Sequence, residues 1–164
     1  MENKSYWHKK IQTPIGAIDL VADDKNLLVV QMENHSHDHL IALNLQNGTN
    51  HKILKKTEKQ LAEYFAGDRK SFDLPISFQG SEFQNQVWKE LLKIPYGKSI
   101  TYGMQAAQIG RPGAARAVGA CNGKNPLSIV VPCHRVIGAS GALTGYAGGL
   151  EIKRRLFKLE GLQL

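Results

Sequence analysis

A cysteine and a histidine lie side by side at the end of a short apolar run. Residues 129–132 (Ile-Val-Val-Pro) lead into Cys133 and His134, and a second apolar pair follows at 136–137. A β-branched run bounded by proline predicts a buried strand end, so Cys133 is expected where a rigid element stops and a pocket begins. An adjacent imidazole can convert a thiol into a nucleophilic thiolate. The alternative is a buried packing cysteine that happens to precede a histidine.

A carboxylate later in the chain could complete a relay. In such a relay His134 takes the proton of Cys133, and Glu160 orients His134. For Glu160 the alternative is a solvated charge at a helix end. A thiolate relay suits either a cysteine hydrolase, whose thioester is hydrolysed, or an alkyl acceptor, whose thioether is stable in water. The hydrolase would turn over, whereas the alkyl acceptor would act once.

The positive charge of the chain lies entirely in its second half. The net charge is +7; residues 1–80 hold ten basic and ten acidic residues, and residues 81–164 hold eleven Lys and Arg against four Glu. A basic half beside a neutral half indicates a surface that faces a polyanion such as nucleic acid. A merely soluble basic surface is the alternative.

Cysteine usage and hydropathy exclude several classes of protein. Cys121 and Cys133 are the two cysteines, which excludes a disulfide framework and a multi-cysteine zinc site and fits a reducing compartment. The sequence contains no apolar run of membrane-spanning length, and its start lacks a signal-peptide pattern. We therefore expect a cytoplasmic protein with no membrane association. We interpret Cys121 as a packing residue.

Three histidines, His35, His37 and His39, alternate in a segment with loop-like neighbours. Alternating histidines can bind a metal, but a solvated loop is the favoured interpretation here. Strands are predicted on both sides of this segment because β-branched and apolar runs alternate with turn residues. These strands cover residues 15–22, 27–32 and 40–45.

A helix and an extended segment are predicted to close the first half. Thr57 and Gln60 have the spacing of a capping box, which predicts a helix that begins at Thr57 and ends near Gly67. Residues 68–80 have no helical period and read as an extended linker. Because the charge balance also changes there, we predict two domains, residues 1–75 and 76–164.

The second half predicts a helix-turn-helix. Ser81 caps a helix that ends before Pro95 and buries an apolar face, with Leu92 beside it; Thr101 caps a short helix over 102–109, and Pro112 lies in the first turn of another over 113–123. Between Ala114 and Ala120 this last helix carries small residues around one long cation, Arg116. Small residues allow close approach to a nucleic-acid groove or to another protein surface.

A glycine-rich loop and a final helix follow the cysteine. Residues 138–149 lack the lysine and the spacing of a phosphate-binding loop, and we expect them to form a mobile wall with Tyr146 as an aromatic face. The closing helix, residues 150–160, is predicted to bury Ile152, Leu156 and Leu159.

The motif Pro132-Cys133-His134-Arg135-Val136-Ile137 resembles the active-site motif of the O6-alkylguanine-DNA alkyltransferases, the methylated-DNA–protein-cysteine methyltransferases. The resemblance extends from about Gly80 to Gly161 and is loose before that. The matching positions are Phe83 to Trp88, Pro95-Tyr96-Gly97, Thr101-Tyr102, Ala114 to Gly119, Asn125-Pro126, Tyr146, Gly148-Gly149-Leu150 and Glu160-Gly161.

The resemblance implies an α/β (α+β) fold with an N-terminal ribonuclease H-like domain and a C-terminal winged helix-turn-helix-like domain. It implies irreversible, single-turnover transfer of an alkyl group from O6-alkylguanine in double-stranded DNA to Cys133, by a monomer with no cofactor and no metal. O4-alkylthymine is a further possible substrate. Related damage sensors lack the acceptor cysteine and some relatives bind zinc through cysteines; this chain has the acceptor and lacks those ligands.

The same resemblance assigns roles at the reacting centre. Cys133 is the acceptor, His134 is its base through a bound water, and Glu160 holds His134. Tyr102 helps to rotate the damaged nucleotide out of the duplex and donates a proton toward the guanine ring. Arg116 fills the gap in the base stack, which is needed because extruding a base costs a few kcal/mol.

Further roles concern the hinge, the pocket and the DNA surface. Asn125 lies in the hinge between the recognition helix and the active-site strand. The carbonyls of Cys133 and Val136 receive the guanine amino group, the Ala147 N–H meets the alkylated oxygen, and Tyr146 forms one wall. The helix enters the minor groove with little sequence preference. The remaining predicted DNA contacts are Ala114, Ala115, Ala117, Gly119 and Arg135.

Two other hypotheses remain open from the residues alone. One is a base-flipping module that binds damaged DNA with weak or lost chemistry. The other is a thiol hydrolase unrelated to DNA. Mass gain on Cys133, binding without mass gain, and ester turnover distinguish the three.

Overall fold

The first sheet begins earlier than the sequence predicts. In the computed structural model, which describes residues 4–33 and 44–162, β1 (Tyr6–Thr13) pairs antiparallel with β2 (Gly16–Ala22), and β2 pairs antiparallel with β3 (Leu27–Met32). The predicted strands at 15–22 and 27–32 are therefore confirmed to within one residue. Strand β1 was missed because two aromatic residues are followed mainly by polar and charged ones, so it has no apolar run.

A short parallel strand completes this sheet. Strand β4 (Leu45–Asn47) pairs with β1, which gives the order β3-β2-β1-β4. It begins where the strand predicted at 40–45 should end, and residues 40–43 lie outside the described part of the chain. The histidines at positions 35, 37 and 39 lie outside it as well.

The helix that covers the sheet starts before the predicted capping box. Helix α1 (Lys52–Phe65) has His51 at its N-cap, so the predicted start at Thr57 is wrong. The Thr57 hydroxyl instead donates to the Ile53 carbonyl one turn back, at 2.8 Å, a bond that threonine makes inside helices. The predicted end is confirmed, because Gly67 has a φ of 84° and its N–H donates to Tyr64 at 3.0 Å.

The segment predicted as a linker is partly tied to the first sheet. The Leu27 N–H donates to Pro75 at 2.6 Å, and the Ser77 N–H donates to Leu27 at 3.3 Å. In addition, the side-chain amide of Gln60 bonds both backbone groups of Asp73. The chain divides into two compact units between Ser77 and Phe78, so residues 68–77 of this segment belong to the first unit.

The second unit begins with the predicted capping box. Helix α2 (Glu82–Leu91) starts at Ser81, whose hydroxyl accepts from the Gln84 N–H at 3.1 Å while the Gln84 side chain accepts from the Ser81 N–H at 3.0 Å. Leu92, expected beside the buried face, lies one residue after the end of the helix, and its side chain is exposed.

Two short helices follow in the predicted helix-turn-helix order. Helix α3 (Tyr102–Gln108) is capped by Thr101, which accepts from the Met104 N–H at 3.1 Å. Helix α4 spans Ala115–Asn122, so it starts two residues later than predicted. The reason is that residues 111–114 close a separate turn, in which the Ala114 N–H donates to Arg111 at 2.9 Å.

Buried amides join these helices. Gln105 on α3 and Asn122 on α4 exchange hydrogen bonds at 3.2 and 2.7 Å, and Gln105 also donates to the Val87 carbonyl of α2. The Trp88 indole donates to the Cys121 carbonyl at 2.8 Å, which fits a packing role for Cys121. Buried polar groups that are fully paired fix one arrangement of the helices.

The chain then returns through a small parallel sheet, β5 (Ile100–Thr101) with β6 (Val136–Ile137), and closes with α5 (Leu150–Leu159). Within the described residues, no helix combines the length and the apolar character that crossing a membrane requires.

Candidate active site

The apolar run before the cysteine is buried, but it is not a strand. Ile129 has a φ of 74°, and the run forms a tight turn in which the Val131 N–H donates to Leu127 at 2.8 Å. The Asn125 amide donates to the Val131 carbonyl at 2.8 Å and accepts from the Leu127 N–H at 3.0 Å. The Asn125 side chain and the backbone of the turn thus bond groups that a neighbouring strand would have paired. This corrects the predicted strand end and places Asn125 at the base of the nucleophile turn.

Cys133 opens a single 3₁₀ turn, Cys133–Arg135, between this run and β6. Its side chain is buried, and burial raises the pKa of the thiol, while the nearby Asn125 amide and the charge of Lys153 act in the opposite direction. A raised pKa means that the sulfur carries its proton at neutral pH. Cys133 is therefore a thiol that must lose its proton as it reacts.

His134 is the group that can take this proton. Its Nε2 lies 2.5 Å from Glu160 Oε2, and both side chains are completely buried. Burial lowers the pKa of His134 despite the carboxylate, so the ring is neutral near pH 7. Because Nε2–H donates to the carboxylate, Nδ1 carries the lone pair. Among the described residues Nδ1 has no hydrogen-bond partner, which leaves it available as a base.

Glu160 reaches this position because α5 ends at Leu159. Gly161, with a φ of 78°, terminates the helix, and the Gly161 N–H donates to Lys158 at 3.0 Å. Glu160 is 5% exposed, so its predicted pairing with His134 holds in the geometry, and the alternative of a solvated charge does not.

Arg135 is buried as well, which argues against the DNA contact suggested for it. Its side chain is 7% exposed, and its Nε donates to Glu160 Oε1 at 2.8 Å. Its Nη1 donates to the Ile94 carbonyl at 2.6 Å. A guanidinium committed to buried acceptors cannot reach a phosphate on the surface.

Lys153 is a site residue that the sequence interpretation missed. It is fully buried on α5, and its Nζ donates to the carbonyls of Val136 and Thr144, each at 2.7 Å. The Tyr102 hydroxyl lies 3.5 Å from the same nitrogen and donates to the Thr144 carbonyl at 2.9 Å. Lys153 thus joins strand β6, the glycine-rich loop and Tyr102. Burial lowers the pKa of Lys153 to about 8, and burial raises the pKa of Tyr102.

We expect Lys153→Met to slow reaction of Cys133 near pH 7. The ammonium favours the thiolate, so its loss raises the pKa of Cys133 further, with about a tenfold lower thiolate fraction for each pKa unit. The difference from the wild type should shrink above about pH 8, where Lys153 itself loses its proton. Single-turnover rates against pH measure this, with Lys158→Met, exposed on the same helix, as the control. A ratio that does not change with pH would show that Lys153 acts only through its two carbonyl contacts.

The proposed pocket residues lie around this cluster. Val136 is buried, while Tyr146 and Ala147 are partly exposed in the glycine-rich loop. Burial, and then the neighbouring Cys133, raise the pKa of Tyr146 well above its ordinary value, so its ring presents a neutral hydroxyl. The Val136 carbonyl already accepts from Lys153 and retains a second lone pair for a ligand donor.

Apart from Arg135, the residues predicted to face DNA on the recognition helix lie on α4 and in the turn before it. Arg116 and Ala117 are exposed, whereas Ala114, Ala115 and Gly119 are partly exposed. A side chain of any size at position 119 would meet the Tyr102 ring, because even a Cβ there would lie 3.6 Å from the ring carbons. That distance is ordinary van der Waals contact, so a methyl group would also fit at this position.

Within residues 4–33 and 44–162, no group of three or more His, Cys, Asp or Glu side chains is arranged to hold a metal ion.

Comparison with known proteins identifies the family. Residues 82–162 match the DNA-binding domain of 6-O-methylguanine DNA methyltransferase, and residues 6–78 match its ribonuclease-like domain. The chain is 47% identical over 150 residues to the methylated-DNA–protein-cysteine methyltransferase of Methanosarcina acetivorans, a match that covers 92% of this chain and 95% of that protein. The chain belongs to the 6-O-methylguanine DNA methyltransferase family.

Solved structures of the family support the fold. The O6-methylguanine methyltransferase of Mycobacterium tuberculosis superposes with a TM-score of 0.86 at 45% identity, covering 94% of this chain and 92% of that one. The OGT protein of the same organism, solved in complex with DNA, gives a TM-score of 0.84 at 46% identity, with 95% and 92% covered. The predicted fold class is confirmed, with a ribonuclease-like first domain and a DNA-binding second domain.

Proposed function

We propose that this protein repairs O6-alkylguanine in double-stranded DNA by moving the alkyl group irreversibly to Cys133, once per molecule. The observation that carries the proposal is a buried cysteine beside a neutral, carboxylate-held histidine in a chain of this family. In the family structure solved with DNA, the partner is DNA. We further propose that the protein acts as a cytoplasmic monomer through residues 76–164, without a cofactor.

The proposed reaction is a nucleophilic displacement at the alkyl carbon. The sulfur of Cys133 attacks the alkyl carbon as the bond between that carbon and O6 breaks, while the thiol proton moves to Nδ1 of His134 through a water molecule, as the resemblance implies. Tyr102 supplies a proton to the guanine ring, so that the base leaves neutral. Lys153, 3.5 Å from the Tyr102 oxygen, stabilises the phenolate that this step leaves behind. The thioether is stable in water, so the cysteine is not regenerated.

The base must leave the duplex to reach a buried sulfur. Extrusion costs a few kcal/mol, which a side chain that enters the stack can offset. Arg116, exposed near the start of α4 among small residues, is suited to this role. Asn125 links the end of α4 to the nucleophile turn, so that it couples the DNA surface to Cys133.

The test is the intact mass of the protein after incubation with duplex DNA that carries O6-methylguanine. One methylene added to each molecule and mapped to Cys133 supports the proposal. Binding without a mass change supports a damage-binding module instead. Turnover of an ester without affinity for DNA supports a thiol hydrolase. Repeated turnover on DNA, or an adduct on Cys121, would contradict single-use transfer to Cys133.

We expect Arg116→Ala to weaken reaction on duplex DNA more than reaction on free O6-alkylguanine. The free base needs no extrusion, so only the duplex reaction loses the side chain that fills the stack. Single-turnover rates on both substrates measure the ratio. Equal losses on the two substrates would refute the role proposed for Arg116.

A further inference from the structure

The Glu160 carboxylate is held from four directions. Oε2 accepts from His134 Nε2 at 2.5 Å and from Arg135 Nη2 at 3.2 Å, and Oε1 accepts from Arg135 Nε at 2.8 Å and from the Gly97 N–H at 3.2 Å. Arg135 therefore occupies both carboxylate oxygens. A bidentate guanidinium fixes the plane of a carboxylate as well as its position, which a single ammonium cannot do.

Arg135 is itself fixed by the turn at residues 94–97. Ile94 accepts from Nη1 at 2.6 Å, and the Tyr96 ring lies 5.7 Å from the guanidinium carbon. The Tyr96 hydroxyl donates to the Leu159 carbonyl at 3.2 Å, so the same turn also holds the last residue of α5. Pro95-Tyr96-Gly97 is among the positions that resemble the family in sequence, but the resemblance assigned these residues no role in the reaction. Their contacts show that the turn braces the arginine and the end of the helix.

We propose that Arg135 is a positioning residue that keeps the Glu160 carboxylate aligned on His134, an inference that rests on the proposed alkyl transfer. The recorded hydrogen bonds of the Arg135 guanidinium go to Glu160 and Ile94, and Cys133 is not among these partners. It acts on the base through the carboxylate, because the direction of the Nε2–H bond determines which nitrogen of the imidazole is free. If the carboxylate rotates away, His134 loses the contact that keeps its proton on Nε2 and its lone pair on Nδ1.

The charge of Arg135 has a second effect on the same base. It lowers the pKa of His134, as burial and Lys153 also do, while Glu160 raises that pKa. Removing the guanidinium should therefore raise the pKa of His134, and the ring will protonate at a higher pH. The charged and titratable groups around the cluster are Cys133 and Arg135 on its own turn, Glu160 and Lys153 on and after α5, Tyr96 in the preceding turn and Tyr146 in the glycine-rich loop.

The experiment compares Arg135→Gln with Arg135→Lys and Arg116→Gln in the full chain. For each protein, single-turnover transfer from O6-methylguanine duplex is measured against pH, and DNA affinity is measured against salt. The titration of His134 is followed by NMR, which does not depend on activity. For Arg135→Gln we expect a rate at least about 10-fold lower at neutral pH, in the range of an impaired general base. The pH below which its transfer rate falls should move upward together with the pKa of His134; this is the acid limb of the rate profile. DNA affinity and its salt dependence should stay unchanged.

The comparison variants distinguish the alternatives. Arg135→Lys keeps the charge, so its His134 titration should stay near that of the wild type, while the lost bidentate contact still lowers the rate. Arg116→Gln should show the opposite pattern, with weaker DNA binding and an unchanged acid limb. Loss of DNA affinity in Arg135→Gln with an unmoved His134 titration would overturn the inference in favour of a phosphate contact. Lower thermal stability with a wild-type rate and titration would overturn it in favour of a structural role alone.

The mass gain of the wild-type protein tests the proposed function separately from the role of Arg135. A wild-type protein that gains no mass on Cys133 contradicts the alkyl transfer, whatever the His134 titration shows. If Arg135→Gln does not fold, Arg135→Lys decides the matter, and a wild-type rate in that variant would overturn the positioning role.

Discussion

Cys133→Ala is expected to bind O6-methylguanine duplex as the wild type does and to gain no mass from it. The substitution removes the acceptor sulfur, yet it leaves α4 and Arg116 unchanged, and these are the parts proposed to contact DNA. The loss of transfer should be complete, because the one remaining thiol of the sequence, Cys121, lies on α4. Intact mass spectrometry after a long incubation measures transfer, and a gel-shift titration measures binding.

The matched control for this variant is Cys121→Ala. Cys121 is the other cysteine of the chain, and it is buried on α4 beneath the Trp88 indole. Burial raises the pKa of its thiol, and the charge of Lys124 acts in the opposite direction. We expect this control to take up one alkyl group per molecule, as the wild type does. If Cys133→Ala gains mass and the variant with both cysteines replaced by alanine does not, Cys121 is the acceptor.

Glu160→Gln should slow transfer by about 10²- to 10⁴-fold, the usual contribution of a general base and its orienting group. An amide has one oxygen where Glu160 presents two, and its NH₂ group would face donors from His134, Arg135 or Gly97. The tautomer of His134 that places a lone pair on Nε2 becomes favourable, and Nδ1 then carries the proton and cannot act as a base. Single-turnover rates on duplex and on free base should fall together, because the defect lies in the chemical step.

Glu151→Gln is the control for that variant because the same substitution is made on the same helix. Glu151 lies on the first turn of α5, where its carboxylate is exposed and pairs with Arg154. Exposed pairs of this kind contribute about 0–1 kcal/mol, so stability and rate should stay close to the wild type. Breaking the buried pair at Glu160 can cost about 3–5 kcal/mol, so thermal unfolding must be followed beside the rates. A folded Glu160→Gln protein with a wild-type rate would contradict the relay.

Local signals predicted some elements and misplaced others for identifiable reasons. The Ser81 capping box begins a helix because the residues before it break the helical pattern, whereas the Thr57 box lies inside a helix that starts at Lys52. Both have a threonine or serine three residues before a glutamine. The difference is made by tertiary contacts, since Gln60 bonds Asp73 rather than the backbone at the start of a helix. Sequence spacing does not contain that information.

The reacting centre was predicted in part. His134 and Glu160 come together as expected, and Cys133 adjoins His134 in the sequence. The burial of Lys153 was missed because the closing helix was given an apolar face at positions 152, 156 and 159. The buried stripe in fact runs through Lys153, Leu156 and Phe157 to Glu160, at helical spacings of three and four. Two charged residues on one buried stripe are the signal that could have revealed the site.

The turn before Cys133 was the least predictable feature. Its β-branched residues favour a strand, but backbone bonds within the run close a turn, and the Asn125 side chain adds contacts to Val131 and Leu127. Ile129 adopts a positive φ, which β-branched residues rarely do, so the surrounding packing must hold it. The strand propensities of single residues cannot predict a backbone conformation that contacts with other residues impose.

A protein that reacts only once is inactivated if another reagent modifies its acceptor cysteine first. The enclosed, protonated sulfur of Cys133 is a poor target for hydrogen peroxide, disulfides or stray electrophiles in bulk solvent, since each of these reacts with exposed thiolates. Titration with an aromatic disulfide reagent should therefore label the native protein slowly and the unfolded protein fast. The burial that restricts access to the Cys133 sulfur would thus also protect unreacted protein molecules from oxidants.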